Sequence, residues 1–191
     1  MTDGLTLALL AEVLASGANL LYVLLLIRER ISCWAFGIIG SLLSVCLFID
    51  ARLYSESVLY LFYAAMAVWG WLRWHRREAV ADNPVTRWQL AQHLRAIVVA
   101  ALLALGLGFS LHFYSDAERP LFDAFTTVFS FLGTYLQINK VLESWLYWII
   151  LNVASVWLYL DSGLAVYAAL MVFYALLSVS GYLQWRRSPV Q

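Results

Sequence analysis

Residues 34–77 read WAFGIIGSLLSVCLFIDARLYSESVLYLFYAAMAVWGWLRWHRR, and residues 145–188 read WLYWIILNVASVWLYLDSGLAVYAALMVFYALLSVSGYLQWRRS. Laid over each other without a gap, at a shift of 111 positions, they agree at about seventeen of forty-four positions. Trp34 meets Trp145, Ser44 meets Ser155, Asp50 meets Asp161 and Leu53 meets Leu164. Phe62, Tyr63 and Ala64 meet Phe173, Tyr174 and Ala175; Gly70, Leu72, Trp74 and Arg76 meet Gly181, Leu183, Trp185 and Arg187. The register also runs backwards, with Glu12 on Asp123, Asn19 on Ser130 and Ile27 on Ile138. Self-similarity at a fixed period is the mark of a duplicated structural unit.

Composition says what that unit is made of. Of 191 residues, 63% are hydrophobic and 13% charged, against roughly 45–50% and about 25% in ordinary soluble domains. A soluble domain and a disordered chain are both excluded. A formal net charge of zero leaves no basic field to hold nucleic-acid phosphates. Seven apolar runs, at 5–27, 31–49, 56–74, 93–113, 121–138, 142–160 and 163–185, are each long enough to cross a bilayer, about 20 residues. Each is predicted to be a helix, because a lone strand in lipid leaves its backbone unpaired. The first run has no basic flank and no small-residue cleavage pattern, so it reads as a retained helix and not a signal peptide. Spans one to three and five to seven are the two copies, and span four is the unmatched connector. The expected fold is therefore an all-α membrane protein of seven transmembrane helices. Two parallel three-helix repeats, 1–77 and 115–188, flank a cytoplasmic loop and linker helix at 78–114. Parallel repeats related by an axis along the membrane normal are a transporter plan, with substrate near the midplane.

Basic residues set the direction. Arg28 and Arg30 follow span one, and Arg73, Arg76, Arg77, Arg87 and Arg95 surround the loop after span three. Lys140 follows span five, and Arg186 and Arg187 follow span seven. Ten of the twelve Lys and Arg thus fall on one side, and Arg52 and Arg119 fall opposite, beside Asp50, Asp116 and Glu118. The N-terminus is expected outside and the C-terminus in the cytoplasm.

Polar side chains within hydrocarbon are functional candidates because they are costly there. Span five carries Asp123, Thr127, Ser130, Thr134 and Gln137 at steps of 4, 3, 4 and 3, which is one helix face. Span six carries Trp145, Trp148, Asn152 and Ser155 at steps of 3, 4 and 3. Indole faces stack on aromatic rings and favour cationic ones. Asn152 and Gln137 each offer an acceptor and two donors, suited to an amide or to sugar hydroxyls, and the Thr127, Ser130 and Thr134 hydroxyls would line the sugar side. The pattern points to a neutral or singly cationic nucleoside-like molecule, not a phosphorylated one. Trp145 and the serines also fit interfacial or packing roles. Glu12 and Asp123, at equivalent repeat positions, are candidates for a gate or a coupling ion, or for helix capping. Tyr63 and Tyr174 are candidates for the gate or for core packing. Asp50 and Asp161 read as turn or cap residues.

No phosphate-binding glycine loop, zinc-ligand pair or Ser/His dyad occurs within a span, so neither an enzyme nor a cofactor is expected. His75, His93 and His112 lie at span ends. A retinal protein needs a lysine deep in its last span, and the sole lysine, Lys140, ends span five. Cys33 and Cys46 sit in apolar runs and read as small buried hydrophobes.

Trp34-Ala-Phe-Gly-Ile-Ile-Gly, Leu53 to Leu59, Tyr63 and Gly70-Trp-Leu-Arg-Trp74, with Asp123-Ala, Ser130, Lys140, Glu143 to Trp148 and Asn152, resemble the PnuC family of vitamin transporters. The resemblance covers nearly the whole chain, and the Trp145, Trp148, Asn152 element is its most specific part; Trp34-Ala35 stands where the family often has Trp-Pro. The resemblance implies a three-one-three fold like that of the SWEET sugar transporters, homotrimers, and residence in the bacterial inner membrane. It implies uptake of nicotinamide riboside by facilitated diffusion, with a cytoplasmic kinase trapping the vitamin. The site it implies maps onto Trp145, Trp148, Asn152, Gln137 and Thr134. Relatives carrying thiamine or riboflavin, and a non-transporting receptor or scaffold, are the alternatives.

Overall fold

The computed structural model describes residues 2–50, 54–79, 84–114, 119–161 and 163–188; for 2–9, 54–56 and 79 only the backbone is described. Arg52, Leu53, Asp116 and Glu118, used above for register and orientation, lie outside the described residues. The described residues form seven helices: α1 (Thr2–Ile27), α2 (Ser32–Asp50), α3 (Tyr54–Ala79), α4 (Leu90–Tyr114), α5 (Pro120–Ile138), α6 (Ser144–Asp161) and α7 (Ala165–Trp185). They sit within a few residues of the seven apolar runs. Stretches of α1, α2, α4 and α7 are long and apolar enough to cross a bilayer. Among the rest, α3 ends in Arg73, Arg76 and Arg77, and α5 and α6 carry the polar and aromatic stripes, which lowers their apolarity.

Two compact units divide the chain, Met1–Asn83 and Pro84–Gln191. In the first, α2 packs on both α1 and α3; in the second, α6 packs on both α5 and α7, and α4 packs along α5.

Local geometry recurs at the 111-residue shift. α1 ends at Ile27 and α5 at Ile138. Glu29 and Lys140 are both left-handed, with φ of 55° and 52°. In the first unit the Glu29 and Arg30 amides donate to the Leu26 and Leu25 carbonyls; in the second, Lys140 and Val141 donate to Gln137 and Leu136. That is one Schellman-type helix end made twice, and it satisfies carbonyls a helix terminus leaves open.

The indole packing recurs too. Trp34 meets Trp74 edge-on at 5.4 Å and 88°, and Trp145 meets Trp185 at 5.3 Å and 86°. A Cβ on Gly70 would fall 2.6 Å from Trp34 ring atoms, and one on Gly181 2.6 Å from those of Trp145. The glycines let each indole lie directly on the neighbouring helix backbone, and both indoles are 1% exposed.

One feature of the second unit has no periodic signal in the sequence. Ahead of α4, Thr86 donates its amide to Lys140 and its carbonyl accepts from Leu142, at 2.9 Å each, which docks the segment along the α5–α6 turn. Val85 is fully buried there. The Glu143 carboxylate accepts from the Trp88 amide at 3.3 Å and lies 3.7 Å from His93 Nε2. His93 Nδ1 and the Tyr147 hydroxyl are hydrogen-bonded at 2.9 Å. Leu136, Val141 and Tyr147 form an apolar cluster with Trp88, Phe129 and Leu132 against it. At the far end of α5 and α6, the Arg119 guanidinium pairs with Asp161 and lies 5.6 Å from the Trp157 ring centroid. Asp161 is thus an ion-pair partner as well as the last residue of its helix. The α5–α6 pair is pinned at both ends. Tyr147→Phe, which deletes the bond to His93, is expected to weaken the docking of this segment by about 1 kcal/mol. Hydrogen exchange at the Thr86 and Leu142 amides reads it; protection equal to the unaltered protein would show that the bond does not hold the segment.

Candidate functional site

Within the second unit α5 packs on α6, with Trp148 of the α6 stripe against α5. Gly133 and Trp148 fix their register: a Cβ on Gly133 would lie 3.0 Å from the indole Nε1 and 3.2 Å from Cε2. The equivalent positions in the first unit are Tyr22 and Gly37, where a Cβ on Gly37 would lie 3.0 Å from the Tyr22 ring. The bulky ring and the glycine have changed sides. In the first unit the first helix supplies the ring; in the second unit α6 supplies it, one turn before Asn152. The Cα approach of α5 to α6 is also looser than that of α1 to α2.

From the Gly133–Trp148 level, the antiparallel helices place Gln137 level with Ser144, and Ser130 level with Leu151 beside Asn152. Ser144 to Asn152 spans eight residues, about 12 Å at 1.5 Å per residue. Along the helix axes Trp148 therefore falls between the level of Gln137 and the level of Asn152. Thr134, Gln137 and Asn152 are buried; Thr127, Ser130 and Trp148 are half-buried. The Thr134 hydroxyl donates to the Ser130 carbonyl at 2.9 Å, so its oxygen remains an acceptor. The Trp148 indole N–H is buried and makes no hydrogen bond within the protein.

Other candidates fall elsewhere. Trp145 turns towards α7, covered by Gly181 and Trp185, and its twin Trp34 packs the same way. Asp123 is half-buried in the first turn of α5, its amide bonded to the Arg119 carbonyl at 3.0 Å; a carboxylate suits that end of the helix dipole. Glu12 is exposed on α1. Tyr63 lies in α3 of the first unit, beside Tyr60 and Phe62. Tyr174 lies in α7 of the second, where its carbonyl accepts from Ser178.

Sequence reasoning did not single out Ser178. Its hydroxyl accepts from the Asn152 amide nitrogen at 3.3 Å. The signal was present in the repeat: Asn152 and Ser178 stand where the first unit has Ser41 and Ala67, so both members of the pair are polar only in the second unit.

The model of a family described as nicotinamide mononucleotide transporter matches residues 9–187. The chain belongs to this family. It is a family of transporters, not enzymes, and the chain is a multi-pass membrane protein. The nicotinamide riboside transporter PnuC of Escherichia coli (strain K12) is 24% identical over 93% of this chain and 85% of its own length. That of Neisseria mucosa is 24% identical over 91% of this chain and 70% of its own. Among solved structures, that of the vitamin B3 transporter PnuC superposes with a TM-score of 0.71, at 23% identity, over 91% of this chain and 79% of that one. Family membership and the all-helical fold thus agree with the resemblance carried by Trp145, Trp148 and Asn152.

Proposed function

We propose that this protein carries nicotinamide riboside across the bacterial inner membrane by facilitated diffusion, with a cytoplasmic kinase trapping the product. The observation that carries the reading is Trp148, its indole set against Gly133 of α5 with the N–H unpaired, on the same pair of helices as the buried amides of Gln137 and Asn152. The pyridinium stacks on the indole. Asn152 meets the ring carboxamide, and Gln137, with the Thr134, Ser130 and Thr127 hydroxyls, meets the ribose. Trp145 supports Trp148 from behind by holding α6 on α7. The nicotinamide riboside transporters among the relatives support the substrate. The riboside is favoured over the mononucleotide of the family's description because neither stripe carries a lysine or arginine. A phosphate dianion there would be buried unpaired, at large cost.

The same reading takes the chain as two copies of a three-helix unit around a linker helix, 1–77, 78–114 and 115–188, in the SWEET-like plan. The matching helix ends, left-handed residues and indole pairs support it. The distribution of arginines supports an outside N-terminus and a cytoplasmic C-terminus. Glu12, Asp123, Tyr63 and Tyr174 are assigned to gating or coupling, and the assembly to a homotrimer.

Calorimetric titration of the detergent-purified protein with nicotinamide riboside, thiamine and riboflavin tests the substrate. Micromolar or tighter binding of nicotinamide riboside alone is the expected result, lost in Trp148→Ala. Binding of thiamine alone would keep the site and reassign the amides to a different ring. Proteoliposomes that bind the riboside yet do not move it would make the protein a receptor.

A further inference from the structure

Asn152 is 9% exposed and Ser178 4% exposed, so no bulk water arbitrates between them. The Ser178 hydroxyl has one hydrogen, and it is committed: it donates to the Tyr174 carbonyl at 2.8 Å, one helical turn back. Towards Asn152 that oxygen offers only lone pairs. The Asn152 side chain must therefore turn its NH2 to Ser178, and that is the 3.3 Å bond observed. The opposite amide orientation would set carbonyl oxygen against hydroxyl oxygen and strand two buried groups. Asn152 is left presenting its carbonyl oxygen, an acceptor, away from α7.

We propose that Ser178 is a positioning residue that sets the specificity of the site for a ring carboxamide over a ring carboxylate, by locking Asn152 with its acceptor towards the substrate. The proposal rests on the substrate reading above. A carboxamide has N–H donors for that acceptor; a carboxylate has only lone pairs and a charge. In Ser178→Ala the lock is gone. Asn152 turns freely and offers its NH2 to a carboxylate. Alanine fits the space, because Ala67 occupies the equivalent position of the first unit and is equally buried there.

The test is calorimetric affinity of the purified protein for nicotinamide riboside and for nicotinic acid riboside, in the unaltered protein, Ser178→Ala and Ser178→Thr. The unaltered protein is expected to favour the amide by at least about tenfold, worth one good hydrogen bond. Burial penalises the carboxylate in every variant, so the change in the ratio reads the hydroxyl. The ratio is expected to fall about fivefold or more in Ser178→Ala and to be kept in Ser178→Thr. A merely structural serine would weaken both ligands by one factor and leave the ratio unchanged, which overturns the proposal. So does an unaltered protein that binds both ligands equally, a result that needs no variant to fold. Failure of the unaltered protein to bind either ligand overturns the substrate reading itself, and this proposal with it.

Discussion

Asn152→Ala raises the Kd for nicotinamide riboside about 5- to 150-fold, corresponding to about 1–3 kcal/mol. Truncation removes the substrate's partner and also takes from the buried Ser178 oxygen the amide that donates to it at 3.3 Å, although that hydroxyl keeps its own bond to the Tyr174 carbonyl. Water cannot readily replace the lost group, because both residues are buried. The cost therefore sits at the level for an unsatisfied buried polar group and not at the smaller net value of an exposed hydrogen bond. Ser180→Ala is the control: Ser180 is exposed on α7, and its hydroxyl bonds back to the Leu176 carbonyl. Calorimetry on the two purified variants decides the matter. Equal affinities would take Asn152 out of the site.

The largest expected effect on stability comes from Gly181→Ala, with Gly70→Ala as its twin. The added Cβ would fall 2.6 Å from Trp145 Cε2 and Cζ2, atoms of a rigid ring that is itself held edge-on by Trp185 at 5.3 Å. No flexible side-chain end is available to yield, so α6 and α7 must separate or the indole must leave its rotamer. Overpacking of this kind costs about 1–3 kcal/mol. Gly106→Ala on α4 is the contrast, since its Cβ meets nothing within 4 Å; there the better helix propensity of alanine, up to about 1 kcal/mol, makes the change neutral or mildly stabilising. Thermal unfolding in one detergent compares all three. If Gly181→Ala melts with Gly106→Ala, the indole does not rest on the helix backbone in solution.

The residues divide cleanly by what made them readable. Helix positions followed from the length of the apolar runs, because lipid admits no partner for an open backbone. The 111-residue register followed from identities such as Trp34 with Trp145 and Gly70 with Gly181, and the ends of α1 and α5, at Ile27 and Ile138, fall on it. The face carrying Asp123, Thr127, Ser130, Thr134 and Gln137 followed from the helical period alone. A period names a face, however, and not the neighbour it meets. It placed Trp145 and Trp148 in one stripe, although the first packs on α7 and the second on α5.

Everything that depended on contact between helices waited for the tertiary structure. The exchange of ring and glycine between Tyr22/Gly37 and Gly133/Trp148 is a difference between the two aligned segments, and its meaning lies in which helix supplies the bulk. The clasp of Thr86 on Lys140 and Leu142, and of Trp88 and His93 on Glu143 and Tyr147, joins residues about fifty apart in the chain, with no repeat or periodicity to relate them. Ser178 gains its significance only because the packing of α6 on α7 brings its oxygen to Asn152. By itself the sequence determined the helices, the 111-residue register and the polar faces, since each follows from spacing along one chain in one solvent. The tertiary structure decided which side chain holds which, because hydrogen-bond direction and steric fit are set by ångström-scale offsets between helices that no local pattern encodes.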